Sequence, residues 1–268
     1  MENYICQTCG TQFAATTQSP EHCPICEDPR QYIGWNGQQW TTLEALQQSH
    51  HNEIRSLEPG LIGIGTHPAF AIGQRALLVQ TAAGNVLWDC ISLIDEPSVT
   101  FIKAMGGLSA IAISHPHYYS SMVAWSRAFE APIYLHAADH QWVMRPDPEI
   151  QFWEGERLSL LPGLTLVNCG GHFPGGSVLH WADGAGGQGL LLSGDILQVV
   201  SDRRYVSFMY SYPNLIPLPA EAVRRITAAV EPFDFERIYG AWWGRVVQSN
   251  AKAAVQYSAE RYIRAQEG

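Results

Sequence analysis

Four cysteines near the start of the chain constrain its folding more than any other feature. They occur as two Cys-x-x-Cys pairs, Cys6 with Cys9 and Cys23 with Cys26, and thirteen residues separate the pairs. Each pair lets two thiolates turn toward one point, so the two pairs together can form a tetrahedral sulfur cage around one metal ion. Disulfides are not expected, because the sequence begins without a secretory signal pattern. The spacing therefore predicts a metal site.

The residues around the two pairs resemble rubredoxin-like modules as well as zinc ribbons. Tyr4 and Gly10 flank the first pair, and Ser19-Pro20-Glu21 leads into the second. Four tetrahedral sulfur ligands accept either zinc or iron. We expect zinc, since closed four-cysteine sites are commonly structural zinc sites that supply folding energy. Iron is the alternative, and it would imply electron transfer.

Beyond residue 60 the chain consists of short apolar runs bounded by Gly, Pro and Asp, with helical patterns between several of them. The predicted strands are Leu61–Ile64, Ala76–Gln80, Val86–Asp89, Ala110–Ser114, Pro132–Leu135, Leu164–Asn168, Ser177–Trp181, Gly189–Ser193 and Phe235–Tyr239, and the predicted helices are Pro97–Met105, Tyr119–Phe129, Ala137–Met144, Ala220–Val230 and Asn250–Ala265. This alternation indicates an α/β protein (α+β in some schemes) with mixed sheets covered by helices. We expect a four-cysteine module over residues 1–40 and a layered domain over residues 41–268.

The composition argues against several classes of partner. Hydrophobic residues make up 46% of the chain and charged residues 15%, which is typical of a folded protein. The formal net charge of −9 argues against a nucleic-acid or membrane-surface binder, and no apolar run approaches the ~20 residues of a spanning helix. Together with the missing signal pattern and the paired cysteines, this leads us to expect a cytoplasmic protein that binds a small molecule, with no nucleic-acid or membrane partner.

Two histidines follow the predicted strand Ala110–Ser114. His115 and His117 are separated by one residue, so both side chains can point into one cleft at the end of the strand. Such a pair alone is moderate support for a metal site. Three other features add to it: Asp89 ends one strand, His172 lies in a glycine-rich turn between two strands, and Asp195 ends another strand.

This order of motifs resembles that of the metallo-β-lactamase superfamily, over most of residues 60–245. The resemblance implies a four-layer αββα sandwich and a catalytic metal. Residue by residue, it implies that the metal ligands are His115, His117, His172 and Asp195. It also implies that Asp89 is a supporting carboxylate that orients a ligand imidazole or the nearby loop.

The chain departs from the family pattern at the second metal site. The family motif continues with an Asp and a His where this chain has Tyr119 and Ser120, and no histidine follows His180. The segment Gly240–Gly244 stands where a further family histidine is normally found. All three missing ligands belong to the second site, so we expect a single metal, zinc or iron, held by three His and one Asp. Tyr118 or Tyr119 could then donate a proton to the substrate, or merely fill the space of the absent metal.

The favoured function is a metal-dependent hydrolase of the metallo-β-lactamase fold that acts on an ester, a thioester or a similar acyl compound, with Asp195 as ligand and proton acceptor. One alternative is an iron-dependent redox or sulfur-handling enzyme, and another is a non-catalytic binding protein that has lost the two-metal centre. Arg203, Arg204 and Arg245 hint at an anionic substrate. The apolar segment Tyr205–Pro219 is a candidate lid or subunit contact, which makes a homo-oligomer possible.

Overall fold

The structure, a computed structural model that describes residues 1–267, divides into two units. The first contains Met1–Leu135 and His140–Phe152, and the second contains His136–Asp139 and the chain from Trp153 onward. The boundary between residues 40 and 41 that the sequence predicts stays a prediction. No helix of the described chain combines the length and the apolar character needed to cross a membrane.

A seven-stranded sheet forms most of the first unit. The strands are β1 (Ile5–Cys6), β2 (Trp40–Thr41), β3 (His51–Glu58), β4 (Leu61–His67), β5 (Arg75–Thr81), β6 (Gly84–Trp88), β7 (Ala110–Ala112), β8 (Ile133–His136) and β9 (Ile150–Trp153). Strands β3 to β9 lie side by side in chain order, and β1 pairs with β2 in a separate small sheet. The helices are α1 (Pro24–Glu27), α2 (Leu43–Ser49), α3 (Glu96–Ala104) and α4 (Met122–Phe129), and 3-10 helices lie at Pro116–Tyr118 and Ala137–Trp142.

Burial explains which of these strands the sequence reveals. Strands β4, β5 and β6 are buried along most of their length and appear in the sequence as continuous apolar runs. Strand β3 lies at the edge of the sheet, and its mostly polar residues are exposed or half-buried. No strand is predicted there from the sequence, because an edge strand needs little apolar surface.

The strand directions bring two loops of the first unit together. Strand β6 runs parallel to β7, with Trp88 opposite Ala112. Parallel neighbours end at the same edge of a sheet. The residues that follow them, Asp89 after β6 and Ser114 to His117 after β7, therefore emerge side by side.

The second unit is built on a six-stranded sheet. Its elements are β10 (Arg157–Leu161), β11 (Leu164–Asn168), β12 (Ser177–Trp181), β13 (Leu190–Gly194), β14 (Gln198–Val199), β15 (Val206–Ser207), β16 (Met209–Ser211), β17 (Ile216–Pro217), β18 (Arg237–Gly240) and β19 (Val246–Val247), with α5 (Gly184–Gly187), α6 (Ala220–Val230) and α7 (Ala251–Glu267). The sheet order is β10-β11-β12-β13-β18-β19, and β14 with β15 and β16 with β17 form two small sheets.

Three strands of this sheet end at one edge. Strand β12 is antiparallel to both β11 and β13, and β13 is parallel to β18. Strands β11, β13 and β18 therefore point the same way. The glycine-rich turn with His172 follows β11, Asp195 follows β13, and Ala241 follows β18. One edge of the sheet thus collects these three loops.

Helix α6 packs against this sheet through one apolar face. Val223, Ile226 and Val230 recur at helical spacing, and all three are buried in the same core as Val167 and Ile238 of the sheet. The burial of aliphatic side chains of this size stabilises the unit by roughly 2 kcal/mol each.

The fold class that the sequence predicts, mixed sheets with helices preceded by a four-cysteine cluster, is confirmed. Two predicted helices differ in detail. The helix predicted at Tyr119–Phe129 begins at Met122, because Ser120 has a left-handed backbone with φ of 43°. The helix predicted at Ala137–Met144 is a 3-10 helix over Ala137–Trp142.

Candidate metal centre

The four cysteines lie together and are all buried. The Sγ atoms of Cys6 and Cys26 are 3.5 Å apart, and those of Cys9 and Cys23 are 3.7 Å apart. A tetrahedral ion with metal–sulfur distances near 2.3 Å needs its sulfurs ~3.8 Å apart. None of the cysteines is in a disulfide. The spacing therefore fits the metal cage that the sequence predicts.

Hydrogen bonds shape the first half of this cage. Gly10 N donates to Cys6 O at 2.8 Å, which closes the turn between the first two ligands, and Gln38 Nε2 donates to Cys6 Sγ at 3.1 Å. Hydrogen bonds from the Cys23 and Cys26 thiols hold the pKa of Cys6 well below its usual value, whereas the neighbouring thiols, Cys23 first, and burial raise the pKa of Cys9 and Cys26. Because metal ligation requires the thiolates, metal binding at this cage would release protons.

Strand β7 and the 3-10 turn that follows it position His115 and His117. Pro116 is the first residue of that turn, where its fixed φ suits a helical start. Both histidines are buried, and their ring centroids are 5.2 Å apart. The turn therefore brings two imidazoles to one side of the loop.

Ser114 connects His115 to Asp89. Ser114 Oγ lies 2.9 Å from His115 Nδ1, and Ser114 N donates to Asp89 Oδ1 at 2.8 Å. With Nδ1 engaged, Nε2 is the nitrogen of His115 that can ligate a metal. Burial raises the pKa of Asp89 to about 7, while the hydrogen bonds from Ser114 act in the opposite direction. Asp89 thus contacts the loop of a candidate ligand through one intervening residue.

His172 lies in a turn that glycines make possible. Gly170 and Gly171 have φ of 68° and 82°, a region that favours glycine. The backbone N–H of Gly170 donates to Gly176 O at 2.9 Å and closes the turn. His172 Nδ1 lies 2.7 Å from Tyr210 O, so Nδ1 carries the proton and Nε2 is left to ligate.

The structure brings the three histidines together. The ligand atoms of His115, His117 and His172 all lie within 4.8 Å of one another. Some point then lies no more than about 2.8 Å from all three, and zinc–imidazole bonds are about 2.0–2.1 Å long, so adjustments below 1 Å close the site. Three buried imidazoles form a donor set that suits Zn or Fe. The residues present fit a single metal ion.

Asp195 does not belong to this group among the described residues. It follows β13 at the predicted edge and is buried, and its backbone oxygen accepts a hydrogen bond from Tyr212 Oη at 2.6 Å. Burial, followed by the charge of Asp195, raises the pKa of Tyr212. The role of Asp195 as fourth ligand and proton acceptor stays a prediction.

Tyr118 and Tyr119 are both buried beside the histidine loop. The ring of Tyr118 packs edge-on against His115, with centroids 4.4 Å apart. This contact agrees with either predicted role, since a tyrosine that packs against a ligand can also present its hydroxyl to the site. Their catalytic role stays a prediction.

Two supporting groups were not among the residues predicted from the sequence. Ser114 precedes His115 directly, and the pattern of a hydroxyl residue before the His-x-His motif is a signal that could have been used. The carbonyl of Tyr210, which orients His172, comes from β16, some forty residues along the chain. A backbone oxygen leaves no residue-type signal, so only the structure reveals it.

Known structures share this architecture. VMB-1 superposes with a TM-score of 0.62 at 11% identity, covering 81% of this chain and 98% of that chain. The metallo-β-lactamase DIM-1 gives a TM-score of 0.62 at 12% identity, with coverages of 80% and 98%. The metallo-β-lactamase FIM-1 from Pseudomonas aeruginosa, in its mono-zinc form, gives 0.60 at 15% identity, with coverages of 81% and 97%. The chain therefore has the metallo-β-lactamase fold, which the resemblance in the sequence implied.

No known family profile matches the sequence. The uncharacterized protein YmaE of Bacillus subtilis (strain 168) is 53% identical to it over 267 residues, which are 99% of this chain and 97% of that protein. The chain belongs to the same family as YmaE.

Proposed function

We propose that the protein is a metal-dependent hydrolase that uses a single metal ion held by His115, His117 and His172, with Asp195 as the fourth ligand. The observation that carries this proposal is the grouping of three buried imidazoles on a metallo-β-lactamase fold. The Nδ1 atoms of His115 and His172 are already engaged by Ser114 and Tyr210, which directs the opposite nitrogens to one ion.

A single metal is favoured by what stands at the second site. Ser120 occupies the position of a family histidine, and its hydroxyl donates to Cys90 O at 3.3 Å and accepts from Gln74 Nε2 at 3.0 Å. Tyr119 occupies the position of the family aspartate and is buried. Both positions therefore serve packing and hydrogen bonding within the first unit.

The chemistry follows from the donor set. His115, His117 and His172 would hold the metal ion, which would supply Lewis acidity for the hydrolysis when bound. Asp195 accepts the proton of the attacking water, and Tyr118 or Tyr119 donates a proton to the leaving group or hydrogen-bonds the substrate. The proposed substrate is an ester, a thioester or a similar acyl compound.

An anionic substrate, a cytoplasmic location and a homo-oligomer complete the proposal. Arg203 and Arg204 line a groove of about 760 Å³ in the second unit, but none of the predicted metal ligands lines it. Arg204 pairs with Asp202, and Arg245 donates to Ser201 Oγ at 3.2 Å.

Turnover of an ester and thioester panel by the zinc-loaded protein tests this proposal. We expect His115→Ala to abolish turnover and to lower the metal content by one ion per chain, because all three imidazoles are needed to hold the metal. His22→Ala, at an exposed histidine, is the matched control and should leave both unchanged. Tyr118→Phe and Tyr119→Phe then separate proton donation from filling, since unchanged turnover in both variants would mean filling.

The cysteine cage is also compatible with the alternative function as an iron-dependent enzyme. Its sulfur spacing suits iron as well as zinc. Native protein that contains iron at both sites, and that turns over no ester or thioester, would favour the iron-dependent redox or sulfur-handling function. No turnover with zinc at both sites would favour the non-catalytic binding protein.

A further inference from the structure

Hydrogen bonds join the cysteine segment to other loops of the first unit. Within the first unit, its chain runs from Cys9 through Gly10 to Gln12, and Gln12 N donates to Ser120 O at 3.0 Å. Gly10 O accepts a hydrogen bond from Ser92 Oγ at 2.7 Å. Two residues separate Cys9 from Gln12 along the chain, and one hydrogen bond joins Gln12 to Ser120, which lies in the loop that carries the His-x-His motif.

Ser120 is the point at which these contacts meet. It is buried, and its backbone has φ of 43°, which a residue with a Cβ adopts at a cost. Gln74 Nε2 donates to Ser120 Oγ at 3.0 Å and to Cys90 O at 3.1 Å. Strained residues persist only where their surroundings hold them. Gln12 holds the backbone of Ser120, and Gln74 holds its side chain.

The loop between Ser120 and the histidines is short and internally bonded. Tyr119 N donates to Pro116 O at 3.2 Å, and Met122 N donates to Tyr119 O at 2.9 Å. Only two residues separate Ser120 from His117. A shift at Ser120 therefore changes the position of a candidate metal ligand.

The position of Gln12 depends on the cage. Apart from the four cysteines, the cluster has one buried apolar side chain, Ile25, and the partly buried Phe13, Trp40, Ile72, Trp142 and Met144 pack against it. Such a small cluster relies on its metal for much of its folding free energy. An ion in the cage therefore fixes the turn that places Gln12 against Ser120.

From these contacts we propose that Ser120 is a positioning residue that couples the two metal sites, so that metal in the cysteine cage tightens metal binding by the three histidines. The proposal rests on the metal at His115, His117 and His172 in the proposed function, but not on the reaction. By thermodynamic linkage the effect is reciprocal: metal at the histidines tightens the cage by the same factor. We expect a factor of about ten.

Zinc affinities of both sites, measured by chelator competition on the full chain, test the coupling. Emptying the cage with Cys9→Ser/Cys26→Ser should weaken zinc binding at the histidines about tenfold. His115→Ala/His172→Ala should weaken the cage by a similar factor. Thermodynamic linkage requires the two affinity factors to be equal. A cage with a purely local structural role would leave the zinc affinity of the histidines unchanged.

Two variants that leave every ligand in place keep the test valid if the cysteine variant does not fold. Ser120→Gly keeps the left-handed backbone and removes the hydroxyl, and Gln74→Leu removes the amide at similar size. Each should weaken the histidine site by about tenfold. Gln7→Ala removes an exposed hydrogen bond to Trp40 O within the cysteine segment and is the matched control.

The outcomes separate this inference from the proposed function. Histidine-site affinities within twofold of wild type in Ser120→Gly and Gln74→Leu would overturn the coupling. Coupled zinc binding at both sites without hydrolysis would support the coupling and overturn the hydrolase. A wild-type protein that binds no metal at the histidines would overturn both.

Discussion

The two metal-binding groups of this protein are assembled in different ways. The cysteine cage draws its ligands from Cys6 to Cys26, on two local turns, so spacing along the chain defines it. The histidine group combines His115 and His117 with His172, and each part depends on a strand that ends at a sheet edge. Local spacing is therefore enough to recognise the first group, whereas the second exists only once the sheets have formed.

Loss of the cage should have the largest effect on stability. Cys9→Ser/Cys26→Ser removes two ligands, and we expect the loss of one metal and of at least about 4 kcal/mol of unfolding free energy, because Ile25 is the one buried residue of the cluster besides the cysteines. Cys90→Ala removes a buried thiol outside the cage and is the matched control. Metal analysis and denaturant unfolding measure both effects. A variant as stable as the control would mean that the cage is not held by metal.

The buried carboxyl of Asp89, which contacts the loop of His115 through Ser114, should make the stability of the protein depend on pH. Burial raises the pKa of Asp89 to about 7 from the usual 3.8 of an aspartate, so around pH 4 to 7 the folded state holds a proton that the unfolded state releases. The stabilisation from this proton is present below about pH 4 and is lost as the pH rises through 7. Asp89→Asn does not titrate, so its stability relative to wild type should rise by roughly 4 kcal/mol between pH 4 and pH 8.

Urea unfolding across this pH range, on protein whose histidine site has been emptied with a chelator, measures the difference. A difference that does not change with pH would contradict the buried, protonated carboxyl. It would also show that Asp89 supports the histidine loop as a charged group.

A substitution in the turn that carries His172 should have a smaller effect on stability. A Cβ at Gly171 would lie 2.7 Å from Ile226 Cδ1, whereas a Cβ at Gly155 meets nothing within 4 Å, and both glycines have φ above 80°. Gly155→Ala should cost about 1 kcal/mol for its backbone conformation alone, and Gly171→Ala about 2 kcal/mol more for overpacking.

Gly171→Ala should also weaken zinc binding, since it displaces the turn that places His172. Thermal unfolding and chelator competition on the two variants make this comparison. Equal stability and equal zinc affinity would mean that the turn adapts freely and that helix α6 does not position the ligand.

The sequence predicts the regular elements where they are apolar and long. Helix α6 was predicted with its observed bounds, Ala220–Val230, because its apolar residues recur at helical spacing. Strand β3 escaped prediction because a polar edge strand resembles a loop. The break before α4 also escaped prediction, since the left-handed backbone of Ser120 depends on Gln12 and Gln74, which lie far away in the chain.

The same limit applies to the histidine group. His115, His117 and His172 were identified through the order of motifs, and the structure places their ligand atoms together. Their supporting partners include Tyr210 O, a backbone atom from a distant strand, for which residue types give no sign. Tertiary hydrogen bonds of this kind are set by the fold rather than by local pattern.

The metal content of the purified protein, measured in the wild type and in His115→Ala/His172→Ala, decides whether the three histidines bind a metal ion. We expect two metal ions per chain in the wild type and one in the variant, with the remaining ion lost only when the cysteines are replaced. One ion per chain in both proteins would contradict the histidine centre and leave the cysteine cage as the only metal site.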